Sequence, residues 1–86
     1  SIAKAFEHDK RYLAASMVYR ALLDSILARA YSKAYHHGID YLRALDSLAP
    51  NITNWKEFPD HDTYKSSLRR SHSRKSAFWP GYDRGF

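Results

Sequence analysis

The densest group of residues that could bind a ligand is a basic cluster in the last third of the chain. Its members are Lys65, Arg69, Arg70, Arg74 and Lys75. Lysine and arginine neutralise phosphates, and an aromatic ring nearby can stack on a base. However, these cations surround a predicted helix instead of forming one stripe, and cations in a last helical turn also complement the helix dipole. Nucleic-acid binding is therefore an alternative hypothesis beside a solvated helix surface.

Histidines and aspartates form a second group that could do chemistry. His36 and Asp40 lie one helical turn apart, as two metal ligands on a helix would. A metal site needs three or four ligands, and His61, Asp62 and His72 do not complete one. The chain also lacks a serine–histidine–acid arrangement and a glycine-rich phosphate loop. We therefore predict no metal, no other cofactor and a protein that is not an enzyme.

The size and charge of the chain set limits on its partners. Its 86 residues suffice for one small domain, and 14 basic against 9 acidic residues leave a net charge of +5. That charge permits anionic partners but is common in small domains without one. Large aromatic side chains that a small domain leaves exposed often anchor a partner, although they can equally close the core. The candidate partner contacts are Tyr12, Tyr19, Tyr31, Trp55, Trp79 and Phe86.

The elements that would position these residues are helical. Residues 7–30 contain neither glycine nor proline, and apolar residues recur there at steps of three and four. Arg20 and Asp24 can pair on the polar edge of this first helix. The apolar face is wider than a second helix can cover, which predicts a further neighbour: a partner protein, upstream helices of the same chain, or a second copy. The residues that extend this face are Leu13, Met17, Val18 and Ala21.

A second helix is predicted at residues 35–49, after a short polar connection at residues 31–34. Because short connections favour antiparallel neighbours, the two helices should form a hairpin. Gly38 is costly inside a helix, and close approach to the first helix is the best explanation for it. Pro50 ends the helix, since proline disfavours helical geometry in the residue before it.

The last third of the chain is predicted to contain a linker, a third helix and a tail. Residues 50–59 form the linker, and a helix at residues 60–76 begins with Asp60 as its cap. The aromatic tail at residues 77–86 should be irregular, because a proline and two glycines interrupt it. The predicted fold class is therefore all-α, a long antiparallel helical hairpin plus a third helix in a single domain.

Composition also bears on location. There are no cysteines, which excludes disulfides and favours the cytoplasm. The longest apolar-rich stretch, residues 12–30, contains Arg20, Asp24 and Arg29, so no membrane association is predicted. The chain opens on Ser1 without a methionine. Either an initiator methionine was removed or, as we expect, the chain is the C-terminal part of a longer protein.

The second helix resembles the second helix of a tetratricopeptide repeat. That pattern places an aromatic, a small residue, a bulky apolar residue, a small residue and a proline at the positions held here by Tyr35, Gly38, Leu42, Leu45 and Pro50. Leu45 departs from it, since a small residue is usual there. The resemblance implies a tetratricopeptide-like helical hairpin that serves as a scaffold or protein–protein interaction module.

The chain also resembles the C-terminal end of uncharacterised bacterial proteins of the domain-of-unknown-function type. The resemblance lies in the segments YLAASMVYRALLDSILARA, LAPNITNW and HDTYKSSLRRSHSRKSAFW. It implies no catalytic residue and no established activity.

Arg29 and His36 loosely resemble the arginine–histidine spacing of HEPN helical domains, some of which are ribonucleases. Ala30 departs from that pattern, since a polar residue is usual after the arginine. Our main hypothesis is a non-catalytic scaffold or protein-interaction module, with nucleic-acid binding and a HEPN-like ribonuclease as alternatives.

Overall fold

A computed structural model describes residues 2–84, with side chains from residue 10 onward. All regular elements of the described chain are helices, and none of its residues forms a strand, which confirms the predicted all-α class. Its four helices are α1 (Ile2–Ala28), α2 (Tyr35–Leu48), α3 (His61–Ser71) and α4 (Trp79–Asp83). Two short 3-10 turns, Ser32–Ala34 and Ala49–Asn51, flank α2.

Helices α1 and α2 form the predicted antiparallel hairpin. Ile26, near the end of α1, lies beside Gly38 at the start of α2, whereas Tyr19 lies beside Tyr41 one turn later, with ring centroids 5.7 Å apart. A Cβ atom on Gly38 would lie 3.2 Å from a methyl group of Leu23. The close approach predicted for this glycine is therefore present.

The core lies between the hairpin and the C-terminal segments. The buried residues of α2 are the four at positions of the tetratricopeptide pattern, namely Tyr35, Gly38, Leu42 and Leu45. They pack with side chains of α1, of α3 and of the segment after α3, which all together form one cluster. Its members are Leu23, Leu27, Tyr35, Leu42, Leu45, Leu68, Phe78 and Trp79.

The end of α1 is closed by a Schellman motif. The N–H of Tyr31 donates to the carbonyl of Ile26 at 3.3 Å, and the N–H of Ala30 donates to that of Leu27 at 3.1 Å. Ala30 occupies the left-handed region, with φ of 51°, where glycine is favoured. The helix therefore ends at Ala28, two residues before the predicted end. It starts at Ile2, not residue 7, because the additional residues include alanine and lysine, which favour helices.

Two predictions about the last third of the chain were wrong. Helix α3 ends at Ser71, not residue 76, because His72 leaves helical geometry (φ −122°, ψ 29°) and the chain turns back toward the hairpin. The tail predicted to be irregular contains α4, because Pro80 lies in the first turn, where a missing N–H breaks no helical hydrogen bond. Phe86 lies outside the described residues.

The strained alanine at the end of α1 gives a test of this fold. Ala30→Gly is expected to raise the free energy of unfolding by about 1 kcal/mol, because it removes the left-handed penalty of a side chain. The control, Ala21→Gly within α1, should lower it by about 1 kcal/mol. Urea denaturation followed by circular dichroism measures both; equal destabilisation by the two substitutions would contradict the motif.

Candidate functional site

The six aromatic residues predicted as partner contacts lie in different environments. Trp79 is only 6% exposed and belongs to the core, and its indole N–H donates to the carbonyl of His72 at 2.8 Å. Tyr31 is 49% exposed. Phe86 is outside the described residues, and the remaining three, Tyr12, Tyr19 and Trp55, are half-buried.

Some residues of the basic cluster pair with carboxylates of the domain, whereas others are exposed to solvent. Arg69 makes a bidentate pair with Asp83, at 2.8 and 3.1 Å, and lies 4.2 Å from the ring centroid of Trp79. The hydrogen bonds to Asp83 raise the pKa of Arg69 above its ordinary value. Lys65 is also paired, whereas Arg70 and Arg74 are exposed and Lys75 is half-buried.

Asp46 accepts contacts from three side chains, and we call this group the Asp46 node. His61 Nε2 lies 2.6 Å and Lys65 Nζ lies 3.0 Å from one carboxylate oxygen, and the Tyr82 hydroxyl donates to the other. Burial by itself raises the pKa of Asp46, but hydrogen bonds from Tyr82, His61 and Lys65 outweigh burial and lower it below its ordinary value. The node joins α2, α3 and α4 through one carboxylate.

Arg20 is buried, and its predicted pairing with Asp24 was wrong. Its guanidinium donates to the carbonyl of Pro59 at 2.9 Å and lies over the rings of Trp55 and Tyr64, at 5.0 and 4.4 Å from their centroids. Burial lowers the pKa of Arg20. Asp24 instead accepts a hydrogen bond of 2.7 Å from the Tyr64 hydroxyl, whose pKa is raised, first by burial and then by that bond. These contacts hold the linker and α3 against α1.

A shallow cavity of about 270 Å³ lies where the linker meets the start of α3. Its polar groups are already engaged in part, since His61 contacts Asp46 and the Asp60 side chain caps α3 by accepting from the Thr63 N–H at 2.9 Å. Within residues 10–84, no group of three His, Cys, Asp or Glu side chains is placed to hold a metal ion. The lining consists of Ala49, Pro50, Trp55, Asp60, His61 and Asp62.

The arginine–histidine pair of the HEPN resemblance makes separate contacts. Arg29 lies 6.0 Å from the ring centroid of Tyr31, whereas the His36 ring lies 3.9 Å from that of His37. Both residues are exposed. Among the hydrogen bonds and ion pairs given by the described side chains, none joins Arg29 to His36.

The side of α1 that faces away from α2 carries exposed apolar side chains. Val18 is 59% exposed and Leu22, one turn later, is 43% exposed. Of the residues predicted to lack a neighbour, Leu13 is buried and Met17 half-buried, whereas Val18 and Ala21 are exposed. We call this surface the outer face, and it comprises Arg11, Ala14, Val18, Ala21, Leu22, Ser25 and Arg29, all exposed.

Sequence reasoning missed the structural roles of Arg20 and Asp46. Arg20 lies four residues after Ser16 and three before Leu23, which are both buried, so helical periodicity could have placed it on the buried side. Asp46 has no comparable local signal, since its partners lie 15 to 36 residues away in the sequence.

A protein-family model matches most of the chain. The model of a "Family of unknown function (DUF6880)" matches residues 2–81. No curated protein and no solved structure matches the chain. Among residues 2–84, no helix combines the length and the apolarity that a membrane span requires.

The Asp46 node predicts a pH-dependent stability. Because the pKa of Asp46 is lowered by folding, its contribution is complete above the unfolded value of about 3.9 and is lost as the pH falls through the folded value. Asp46→Asn should therefore lower the free energy of unfolding by about 1–3 kcal/mol at pH 7. The difference between variant and parent should shrink at pH 3.

Urea denaturation at both pH values measures this effect. Asp40→Asn, on the exposed side of α2, is the matched control and should change stability by less than about 0.5 kcal/mol. If Asp46→Asn were as mild as the control, or if its effect were equal at the two pH values, the node would not stabilise the fold as described.

Proposed function

We propose that this chain, which belongs to the DUF6880 family of unknown function, is a non-catalytic helical module that binds another helix. The observation that carries the proposal is the outer face of α1, where Val18 and Leu22 are exposed one turn apart. Side chains of this size stabilise a complex when a partner covers them, by roughly 1.5–3 kcal/mol each if burial is complete.

The opposite side of α1 is already occupied. Leu13, Leu23 and Leu27 are buried there, as is Arg20. Helix α2 has 14 residues and α1 has 27, so α2 can flank only about half of α1. A helix that is packed on one side and apolar on the other is suited to join two bodies.

The type of module follows from these features and from the tetratricopeptide resemblance. Helical hairpins of that type stack side by side, and each pair buries its apolar faces against its neighbours. The docking helix could belong to a partner protein or to upstream helices of the same polypeptide. We propose this scaffold role for a cytoplasmic protein.

Nucleic-acid binding and ribonuclease activity have less support. Two of the five cations in the basic cluster, Lys65 and Arg69, are paired with carboxylates, and Trp79 is too buried to stack on a base. Arg29 and His36 contact different aromatic rings. No contact of the described residues favours either activity over helix binding.

Substituting the outer face should separate binding from folding. The double variant Val18→Ser/Leu22→Ser is expected to change the free energy of unfolding by less than about 1 kcal/mol, because neither side chain is buried. It should weaken binding of a designed amphipathic helical peptide by about tenfold or more, since two apolar contacts are removed. Chemical-shift titration of the labelled domain measures the affinity.

Two controls define this experiment. Phe58→Ser removes another exposed apolar side chain, 38% exposed, next to the linker residue that contacts the inner side of α1, and should leave peptide affinity unchanged. Leu23→Ala, in the core, should cost about 2–5 kcal/mol of stability. The proposal would be wrong if the peptide did not bind, or if Phe58→Ser and the double variant had equal effects.

A further inference from the structure

Two arginines mark the ends of the outer face. Arg11 and Arg29 are 18 residues apart, which is five turns of an α-helix, so both lie within an arc of about 40° that also contains Val18 and Leu22. The N–H of Arg29 donates to the carbonyl of Ser25 at 3.1 Å, so the helical path continues to this residue. At about 1.5 Å per residue, their backbone positions are about 27 Å apart.

Neither arginine is neutralised within the described chain. The ion pairs of residues 10–84 use Asp46 and Asp83, and neither carboxylate pairs with Arg11 or Arg29. Asp24, the acidic residue in the second half of α1, accepts from Tyr64. With respect to the side chains of residues 10–84, the outer face therefore presents an apolar centre with a positive charge at each end that no carboxylate pairs with.

This arrangement disfavours a second copy of the chain as the occupant. An antiparallel pairing of two outer faces would bring Arg11 beside Arg29 of the other copy, and a parallel pairing would bring each arginine beside itself. Like charges meet in both cases, which weakens association. An anionic membrane is also disfavoured, because interfacial helices present a broad apolar side rich in large residues, whereas Val18 and Leu22 are the large apolar residues here.

We propose that the outer face of α1 binds an amphipathic partner helix whose apolar side is bounded by two carboxylates about 27 Å apart. This inference rests on the proposed helix-binding function and adds the chemistry of the partner. The two helices pack nearly in line, at the crossing angle of about 20° common in bundles, because a steeper crossing would carry the ends beyond the reach of the arginines. The carboxylates set orientation and selectivity, and the apolar centre supplies most of the affinity.

Three synthetic helical peptides test the proposal. They share one apolar seam and differ at two positions 18 residues apart, which hold glutamate, glutamine or lysine. The glutamate peptide is expected to bind about threefold to tenfold more tightly than the glutamine peptide, the range for two exposed ion pairs, and the lysine peptide should bind least. The advantage of glutamate should disappear in 0.5 M salt, because exposed pairs are screened.

Charge variants locate the effect. Arg11→Gln/Arg29→Gln should remove the preference for glutamate while keeping affinity for the glutamine peptide. Arg70→Gln/Arg74→Gln, which removes the same charge from exposed positions on the C-terminal side, should keep the preference. Chemical-shift titration again measures each affinity.

The outcomes separate this inference from the function beneath it. Equal binding of the glutamate and glutamine peptides would overturn the carboxylate requirement and leave helix binding intact, whereas failure of all three peptides would overturn both. Sedimentation that shows a dimer dispersed by Val18→Ser/Leu22→Ser would identify a second copy as the occupant and overturn the proposal. Co-flotation of the domain with phosphatidylserine vesicles, lost in that same variant, would overturn it in favour of a membrane.

Discussion

The carboxylate of Asp46 holds together parts of the domain that apolar packing alone holds weakly. Helix α3 has a single buried residue, Leu68, so it buries little apolar surface of its own. Its position depends on polar contacts, from His61 and Lys65 to Asp46 and from Tyr64 to Asp24. Because Tyr82 shares Asp46 with α3, the same carboxylate also fixes α4.

The positions of α3 and α4 determine which basic side chains are paired and which aromatic side chains are buried. With α4 in place, Asp83 can pair with Arg69, and Trp79 lies under that guanidinium. The ring of Phe78 meets Tyr35 edge-on, with centroids 5.7 Å apart, and is fully buried. Lys65, Arg69 and Trp79, which by residue type suggested a ligand-binding surface, therefore help to close the domain.

Covering the inner side of α1 leaves the outer face as the candidate site. Arg20, the linker and α3 complete the packing that α2 begins, and Val18 and Leu22 remain exposed. Single exposed apolar residues need no explanation. Here two of them lie on adjacent turns between two arginines that pair with no carboxylate of residues 10–84, so the surface has distinct apolar and charged parts. A role in joining helices fits this surface, and it requires no catalytic group.

The helical class, the hairpin and its turn were predictable from the amino-acid sequence, because these depend on periodicity, helix propensity and proline, which act over a few residues. The close approach at Gly38 and the helix cap at Asp60 were likewise predictable from residue type and position in the sequence. The likeness to proteins of unknown function also rested on sequence, and family membership bears it out.

Which side chains remain exposed for a partner depends on how the helices pack against one another. The contacts of Arg20, Lys65 and Arg69 join them to residues 39, 19 and 14 positions away. Trp79 bonds nearby His72, but its burial depends on the core cluster that it shares with α1 and α2. The sequence predicted that Pro80 would interrupt helical structure, but Pro80 lies in the first turn of α4, where proline is tolerated. The sequence predicted that α1 has more apolar residues than α2 can cover. Which of these residues remain exposed depends on how α2, the linker and α3 pack against α1. Local patterns specify elements, whereas exposure is a property of the assembled chain.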